Sequence, residues 1–394
     1  GLARRNAEVV AMSEGRPVYG GTPSDASVIE ALTALREAGQ RAVFYPFILM
    51  EQLAGNARPD PWGGNEQSAL PWRGRITLSR APGQAGSPFG SGAATVEVAR
   101  FFGTARAEDF TAAGTTIIYT GPQEWSYRRF ILHYAHLCAL AGGVDAFCIG
   151  SEMVALTTIR DAAGFPAVAE LCRLAADVRT ILPDAKIGYA ADWSEYFGTT
   201  DPEGNRWFHL DPLWADPAID FIGIDNYMPL SDWREGSGHA DAAAGSIHDL
   251  DYLTANVAGG EGYDWYYATP EDRAAQRRTP ITDGAGEPWI WRYKDILNWW
   301  RNPHHDRVGG VRQAAASPWV PMSKPIWFTE IGCAAVDKGT NEPNKFVDPK
   351  SSESALPHFS TGARDDLIQM QYLRALARYW SDPAANPVSP LYGG

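Results

Sequence analysis

The chain has 394 residues, 45% of them hydrophobic and 21% charged, and carries a net charge of −13. Such acidity offers no positive field to a phosphate backbone, which argues against direct contact with nucleic acid. No apolar run approaches the ~20 residues of a membrane span. The length suits one (β/α) barrel with long loops, a design that takes about 250 residues and grows past 400 by insertion. Residues 1–394 therefore read as a single domain. The four cysteines, Cys138, Cys148, Cys172 and Cys333, lack the close pairing of a zinc motif and read as reduced, small apolar residues, compatible with synthesis in the cytoplasm. No residue pattern calls for a metal or a cofactor. Gly1 at one end and Pro390 to Gly394 at the other read as cuts within a longer polypeptide.

Along the chain, strand-like apolar runs alternate with segments of 3.6-residue period, the pattern of parallel βαβ units. A short strand is predicted at Pro17 to Tyr19. A helix capped near Ser24 follows through Val28, Leu32 and Leu35, and Gly39 ends it. Ala42 to Leu49 reads as a buried strand. Residues 51–91 are rich in Gly, Pro, Asn and Trp and read as a long functional loop. A helix from Ala93 to Phe102 and a strand from Thr115 to Tyr119 come next. Phe130, Tyr134, Leu137 and Ala141 mark a strong helix, and Val144 to Ile149 a buried strand. Pro166 opens a helix with Val168, Leu171, Ala175 and Val178 on one face. Strands follow at Lys186 to Ala191 and Asp220 to Asp225. Residues 228–286 form a second long excursion. A Trp-rich helix is predicted over Trp289 to Trp300, a strand over Pro325 to Thr329, and a last helix from about Arg364 to Trp380 with Leu367, Met370, Leu373 and Trp380 buried. The strand count falls short of the eight of a closed (β/α)8 barrel, which leaves closure open.

In such barrels the reacting groups sit where strands end, at the C-terminal rim. The strand ends here read Tyr45-Pro46, Ser151-Glu152, Asp192-Trp193, Asp225-Asn226-Tyr227 and Thr329-Glu330. Two glutamates and two aspartates thus converge on one rim, where like charge and burial can split their pKa values. Glycoside hydrolysis needs such a pair, one proton donor and one carboxylate acting on the anomeric carbon or a water. Glu152 and Glu330 are the candidate catalytic pair. Asp192, Trp193, Asp225, Asn226, Tyr227 and Trp327 are the candidate substrate-binding residues, although a strand-end Asp also serves as a helix cap. Tyr227 either holds a glutamate by hydrogen bond or fills the barrel mouth. His133 with His136, and His304-His305-Asp306, fit packing better than metal binding. The aromatic stretch Trp265 to Tyr267 is either a sugar-stacking platform or a self-packed loop.

Gly150-Ser151-Glu152 after one strand and Trp327-Phe328-Thr329-Glu330-Ile331-Gly332 at a later one resemble the large clan of retaining (β/α)8 glycoside hydrolases. That resemblance implies acid/base for Glu152 and nucleophile for Glu330. Many clan members carry Asn where this chain has Ser151. A closer likeness covers most of the chain. Tyr19 to Ala26, Ala191 to Tyr196, Gly223 to Leu230, Asn302 to Asp306 and Pro349 to Ser354 resemble the TIM-barrel-like domain of gene transfer agent tail proteins. It implies a segment of a phage-tail-like protein, made in the cytoplasm and assembled into a particle beside other tail proteins. The implied substrate is a cell-envelope polysaccharide or peptidoglycan glycan. The rival expectation is a structural or glycan-binding tail component without catalysis.

Overall fold

The computed structural model describes residues 12–18 and 22–394. Of the predicted strand at Pro17 to Tyr19, only the first part falls within these residues. Arg16–Pro17 pairs antiparallel with Met12–Ser13, while Tyr19, Gly20 and Gly21 lie outside the described residues.

Five strands make the central sheet: β1 (Val43–Phe44), β2 (Ala146–Ser151), β3 (Lys186–Asp192), β4 (Phe221–Asn226) and β5 (Ile326–Ile331). Their order in the sheet is their order in the chain, and the β1–β2 and β2–β3 pairings are parallel. Strand, helix, neighbouring strand is the TIM-barrel-like plan, present here as an open sheet of five strands rather than a closed ring of eight. β2 and β4 are buried along their whole length and β3 from Ile187 onward, as expected of parallel strands covered on both faces. Two compact units divide the chain. One takes the residues through Asp192 with Asp201–Glu203 and His209–Gly223; the other takes Trp193–Thr200, Gly204–Phe208 and Ile224–Gly394.

In the first unit, α1 (Asp25–Glu37) starts at Ser24, whose hydroxyl accepts from the Ser27 N–H. Val28 and Leu32 are buried, but Leu35 lies exposed. The run Ala42 to Leu49 forms only the two-residue β1. Pro46 has no N–H for the ladder, and Phe47 and Leu49 turn outward. α2 (Gly92–Phe102) and α3 (Tyr127–Leu140) pack on α4 (Pro166–Ile181), and α1 packs on α3. Thr116–Tyr119 is not a barrel strand. It pairs antiparallel with Phe110–Ala113, and Gly114, at φ 61°, gives the tight turn its positive φ.

In the second unit, α5 (Asp366–Trp380) closes a core of Leu230, Ile247, Leu253, Val257, Cys333, Ile368, Tyr372, Ala375 and Leu376. Its buried face is one residue out of phase with the expectation. Leu367, Met370 and Leu373 are exposed, while Ile368, Tyr372, Ala375 and Leu376 are buried. Trp289 to Trp300 is not one helix either. A 3-10 turn over Pro288–Trp291 is separated from the helix Ile296–Arg301, whose N-cap is Asp295. A small antiparallel sheet joins Thr199–Thr200, Arg206–Trp207, Arg307–Val308 and Val311–Arg312. All four cysteines are free thiols.

Candidate functional site

The first unit holds Glu152 and Asp192. β2 reaches Glu152 through an irregular register: Cys148 pairs with Gly188 and Ser151 with Ala190, so one residue bulges. The backbone then turns sharply. Glu152 has φ 47°, in the left-handed region that non-glycine residues avoid, and its N–H stays on the sheet by donating to the Ala190 carbonyl at 2.8 Å. Such strain persists only where the surroundings over-determine it, and it gathers at functional sites. Gly150 is required just before it. A Cβ there would lie 2.7 Å from the Tyr127 hydroxyl and 3.0 Å from Met153 and Tyr189. The Tyr127 hydroxyl donates to the Ile149 carbonyl and Tyr189 accepts from the Met153 N–H, so the turn is clamped on both sides. Burial raises the Tyr127 pKa and keeps that donor protonated.

Glu152 is buried, and loop 51–91 supplies partners for its carboxylate. Trp72 Nε1 donates to Oε2 at 2.6 Å, and Arg73 pairs with the same oxygen at 2.8 Å. Arg73 also donates to Ser151 Oγ through Nε and a terminal nitrogen, at 3.0 and 2.8 Å, and the Tyr45 hydroxyl bonds Ser151 Oγ at 2.7 Å. The guanidinium lies 4.5 Å from the Phe47 ring centre, which fixes its approach. Ser151 thus anchors an arginine. Trp72 and Arg73 were not found by reading strand ends, because they come from an irregular loop whose only regular turn is Arg73–Arg75. The signal available was the length of that loop. Asp192, the last residue of β3, is buried.

The second unit holds Trp193, Asp225, Asn226, Tyr227, Trp327 and Glu330. Asp225 and Asn226 end β4 and are buried. Thr329 donates its hydroxyl to Asp225 Oδ1 at 2.6 Å, and Tyr227 donates to Glu330 Oε2 at 2.6 Å. Of the two roles expected for Tyr227, it takes the one of holding a glutamate. Asp225 and Glu330 bring carboxylate oxygens within 4.8 Å of each other. The Thr329 and Tyr227 hydroxyls each satisfy one of these carboxylates. The Asn226 side-chain oxygen accepts from the Met228 N–H at 3.2 Å, which turns the chain away from the strand end. Tyr372 of α5 donates to the Met228 carbonyl at 3.0 Å. Trp193 packs edge-on against Tyr293 at 4.7 Å between ring centres. Trp327 lies partly exposed on β5.

The histidines are packing residues. His133 pairs with Asp25 at 3.0 Å, His136 bonds the Ala107 carbonyl, and His304 bonds the Trp299 carbonyl while stacked on Phe208. The Trp265 and Tyr267 rings pack on each other at 5.0 Å, and Tyr267 donates to Asp232. Tyr266 between them is exposed.

An open parallel sheet with helical crossovers and strand-end carboxylates defines an α/β protein of the TIM-barrel-like class. No curated protein matches the sequence. Residues 125–394, well over half of the chain, match the GTA TIM-barrel-like domain, GTA standing for gene transfer agent, and the chain belongs to that family. No helix among the described residues is long and apolar enough to cross a membrane.

Proposed function

We propose that this domain is a retaining glycoside hydrolase of a phage-tail-like gene transfer agent particle, cutting a cell-envelope glycan with Glu152 and Glu330. The observation that carries the reading is the hold on Glu152. A buried glutamate sits in a left-handed conformation at the end of a barrel-type strand, gripped by an indole N–H and a guanidinium. Such strain costs about 1–3 kcal/mol. Glu330, with its phenol donor from Tyr227, is the nucleophile in this scheme. The Glu330 carboxylate attacks the anomeric carbon while Glu152 protonates the departing oxygen, and Glu152 then takes a proton from the water that hydrolyses the glycosyl-enzyme. Asp192, Trp193, Asp225, Asn226, Tyr227 and Trp327 shape the subsites. Peptidoglycan strands fit slightly better than surface polysaccharide as the substrate of a particle that must pass an envelope.

The second reading, a glycan-binding or structural tail component, is favoured by one contact. Arg73 pairs with Glu152 Oε2 at 2.8 Å, on the oxygen that also accepts from Trp72, an arrangement suited to a carboxylate held for binding.

Hydrolysis and binding of purified envelope glycans by the wild type, Glu330→Gln and Glu152→Gln separate the two. The enzyme reading expects Glu330→Gln to bind but not cut, and Glu152→Gln to lose more rate on poor leaving groups than on activated ones. Wild-type binding without cleavage on every glycan, unchanged in both variants, would transfer the case to the scaffold.

A further inference from the structure

The segment just past β1 brings two aromatic residues, Tyr45 and Phe47, to the surroundings of Glu152. They are two residues apart, a spacing that puts side chains on one side of an extended chain, and Pro46 between them biases Tyr45 toward that backbone. Their rings meet edge-on at 5.7 Å between centres. Phe47 is 39% exposed and so contributes little to the core. What its ring does meet is Arg73, whose guanidinium carbon lies 4.5 Å from the ring centre.

The hydrogen bonds at Ser151 Oγ fix the direction of the one to Tyr45. A hydroxyl has one hydrogen to give and two lone pairs to offer. Ser151 is 2% exposed, too little for bulk water to complete its set. Arg73 donates to Oγ twice, from Nε at 3.0 Å and from Nη2 at 2.8 Å, which takes up the lone pairs. The Ser151 hydrogen therefore goes to the Tyr45 oxygen, 2.7 Å away, and Tyr45 is the acceptor. The same Nη2 carries a second hydrogen, and Glu152 Oε2 lies 2.8 Å from it. One arginine nitrogen thus spans two consecutive residues, with Tyr45 behind the first of them and Phe47 against the guanidinium.

We propose that Tyr45 and Phe47 are positioning residues for Glu152, acting through Arg73. A long arginine side chain gives up rotamer freedom when it is fixed, and one bond to a carboxylate leaves most of its torsions unset. The fork on Ser151 sets the plane of the guanidinium, because Nε and Nη2 converge on one oxygen. The Phe47 ring holds that group from the side by cation–π attraction. Removing the Tyr45 oxygen leaves the buried Ser151 hydrogen without its acceptor, and the hydroxyl regains one only by turning its lone pairs away from Arg73. Trp72 then still donates to Oε2, but the cation beside Glu152 is no longer fixed. The inference rests on the proposed reading of Glu152 as the working carboxylate, and it gives the two residues a part in orienting that group.

The test follows the Arg73 Nε–H by NMR in protein with isotope-labelled arginine, the signal identified by its loss in Arg73→Lys. Tyr45→Phe and Phe47→Leu should each speed exchange of that hydrogen with solvent by about tenfold or more, the scale of one hydrogen bond made by a charged group. Phe47→Tyr, which keeps a ring face, should restore the wild-type rate. Arg128 Nε–H, bonded to the Ala105 carbonyl at 2.9 Å in the same unit, should keep its rate throughout, which a general loosening would not allow. In Ser151→Ala, adding Tyr45→Phe should change nothing further, because its path to Arg73 runs through that hydroxyl. Where the wild type cuts a glycan, Tyr45→Phe should lower kcat by about tenfold with KM held. Faster Arg73 exchange in a protein that cuts no glycan would sustain the positioning and count against the hydrolase reading alone. An Arg73 rate unchanged in either variant, or raised together with that of Arg128, or raised by Tyr45→Phe equally with and without the Ser151 hydroxyl, overturns the proposal. If Tyr45→Phe does not fold, Phe47→Leu and its Phe47→Tyr rescue decide.

Discussion

Trp72 and Glu152, eighty residues apart in sequence, are joined by a 2.6 Å hydrogen bond from indole nitrogen to carboxylate. The contact is fixed from the loop side as well, since a Cβ on Gly74 would come within 2.3 Å of the Trp72 ring. Trp72→Phe keeps most of the ring's volume and removes the donor. Loss of a hydrogen bond to a buried charge should cost about 1.5–3 kcal/mol, measured as a fall in the urea midpoint with the m-value unchanged. A midpoint unchanged within error would mean that Arg73 alone holds the carboxylate.

Gly150→Ala tests the turn beneath the same glutamate. The added methyl meets the Tyr127 hydroxyl at 2.7 Å and must displace it from the Ile149 carbonyl. Overpacking of this kind costs about 1–3 kcal/mol. Turnover, where present, should fall with it because Glu152 moves. Full stability in Gly150→Ala would show that the clamp is looser than its distances indicate.

The main βα alternation was legible because buried parallel strands such as Ala146–Ser151 and Phe221–Asn226 are continuous apolar runs with few rival readings. The strand-end residues followed from it, Glu152 and Asp225 among them. What misled was local. Pro46 cut short an apolar run, Gly114 folded a predicted barrel strand into a hairpin, and Asp295 started a new helix inside a Trp-rich stretch. Trp72 and Arg73 were invisible for a different reason. Their partner lies across a long separation, and no periodicity relates an irregular loop to a strand end.

The phase of α5 gives a direct check. Leu367, Met370 and Leu373 match a helical stripe, yet they are exposed, and Tyr372 is buried with its hydroxyl on the Met228 carbonyl. Met370→Gln should change stability by no more than about 0.5 kcal/mol. Tyr372→Ala should cost about 3–5 kcal/mol, as for other large aromatic truncations. Equal costs in chemical denaturation would argue for the opposite phase.

Asp337 links stability to pH. Its carboxylate is partly buried, which works against its charge. It nevertheless accepts from Lys338, from the N–H groups of Thr361 and Ala363, and from the hydroxyls of Ser360 and Thr361, and these hold its pKa below the usual carboxylate range. A lowered folded pKa gives stability that is present above the unfolded value, about 3.9, and is lost as pH falls below it. Asp337→Ala should therefore cost about 1–3 kcal/mol at pH 7 through its lost hydrogen bonds. The gap to wild type should narrow steadily below about pH 4. A gap independent of pH between 7 and 3 would assign the effect to packing instead.

Because Trp72 and Arg73 arrive on one loop, the electrostatic setting of Glu152 is encoded apart from the strand that carries it. Substitutions at positions 72 and 73 can therefore change whether Glu152 faces a cation, an amide or open solvent while the strand sequence stays as it is. The loop as a whole is not interchangeable in that way, because its Leu70, Leu78 and Ala81 are buried in the core and Ser151 anchors Arg73.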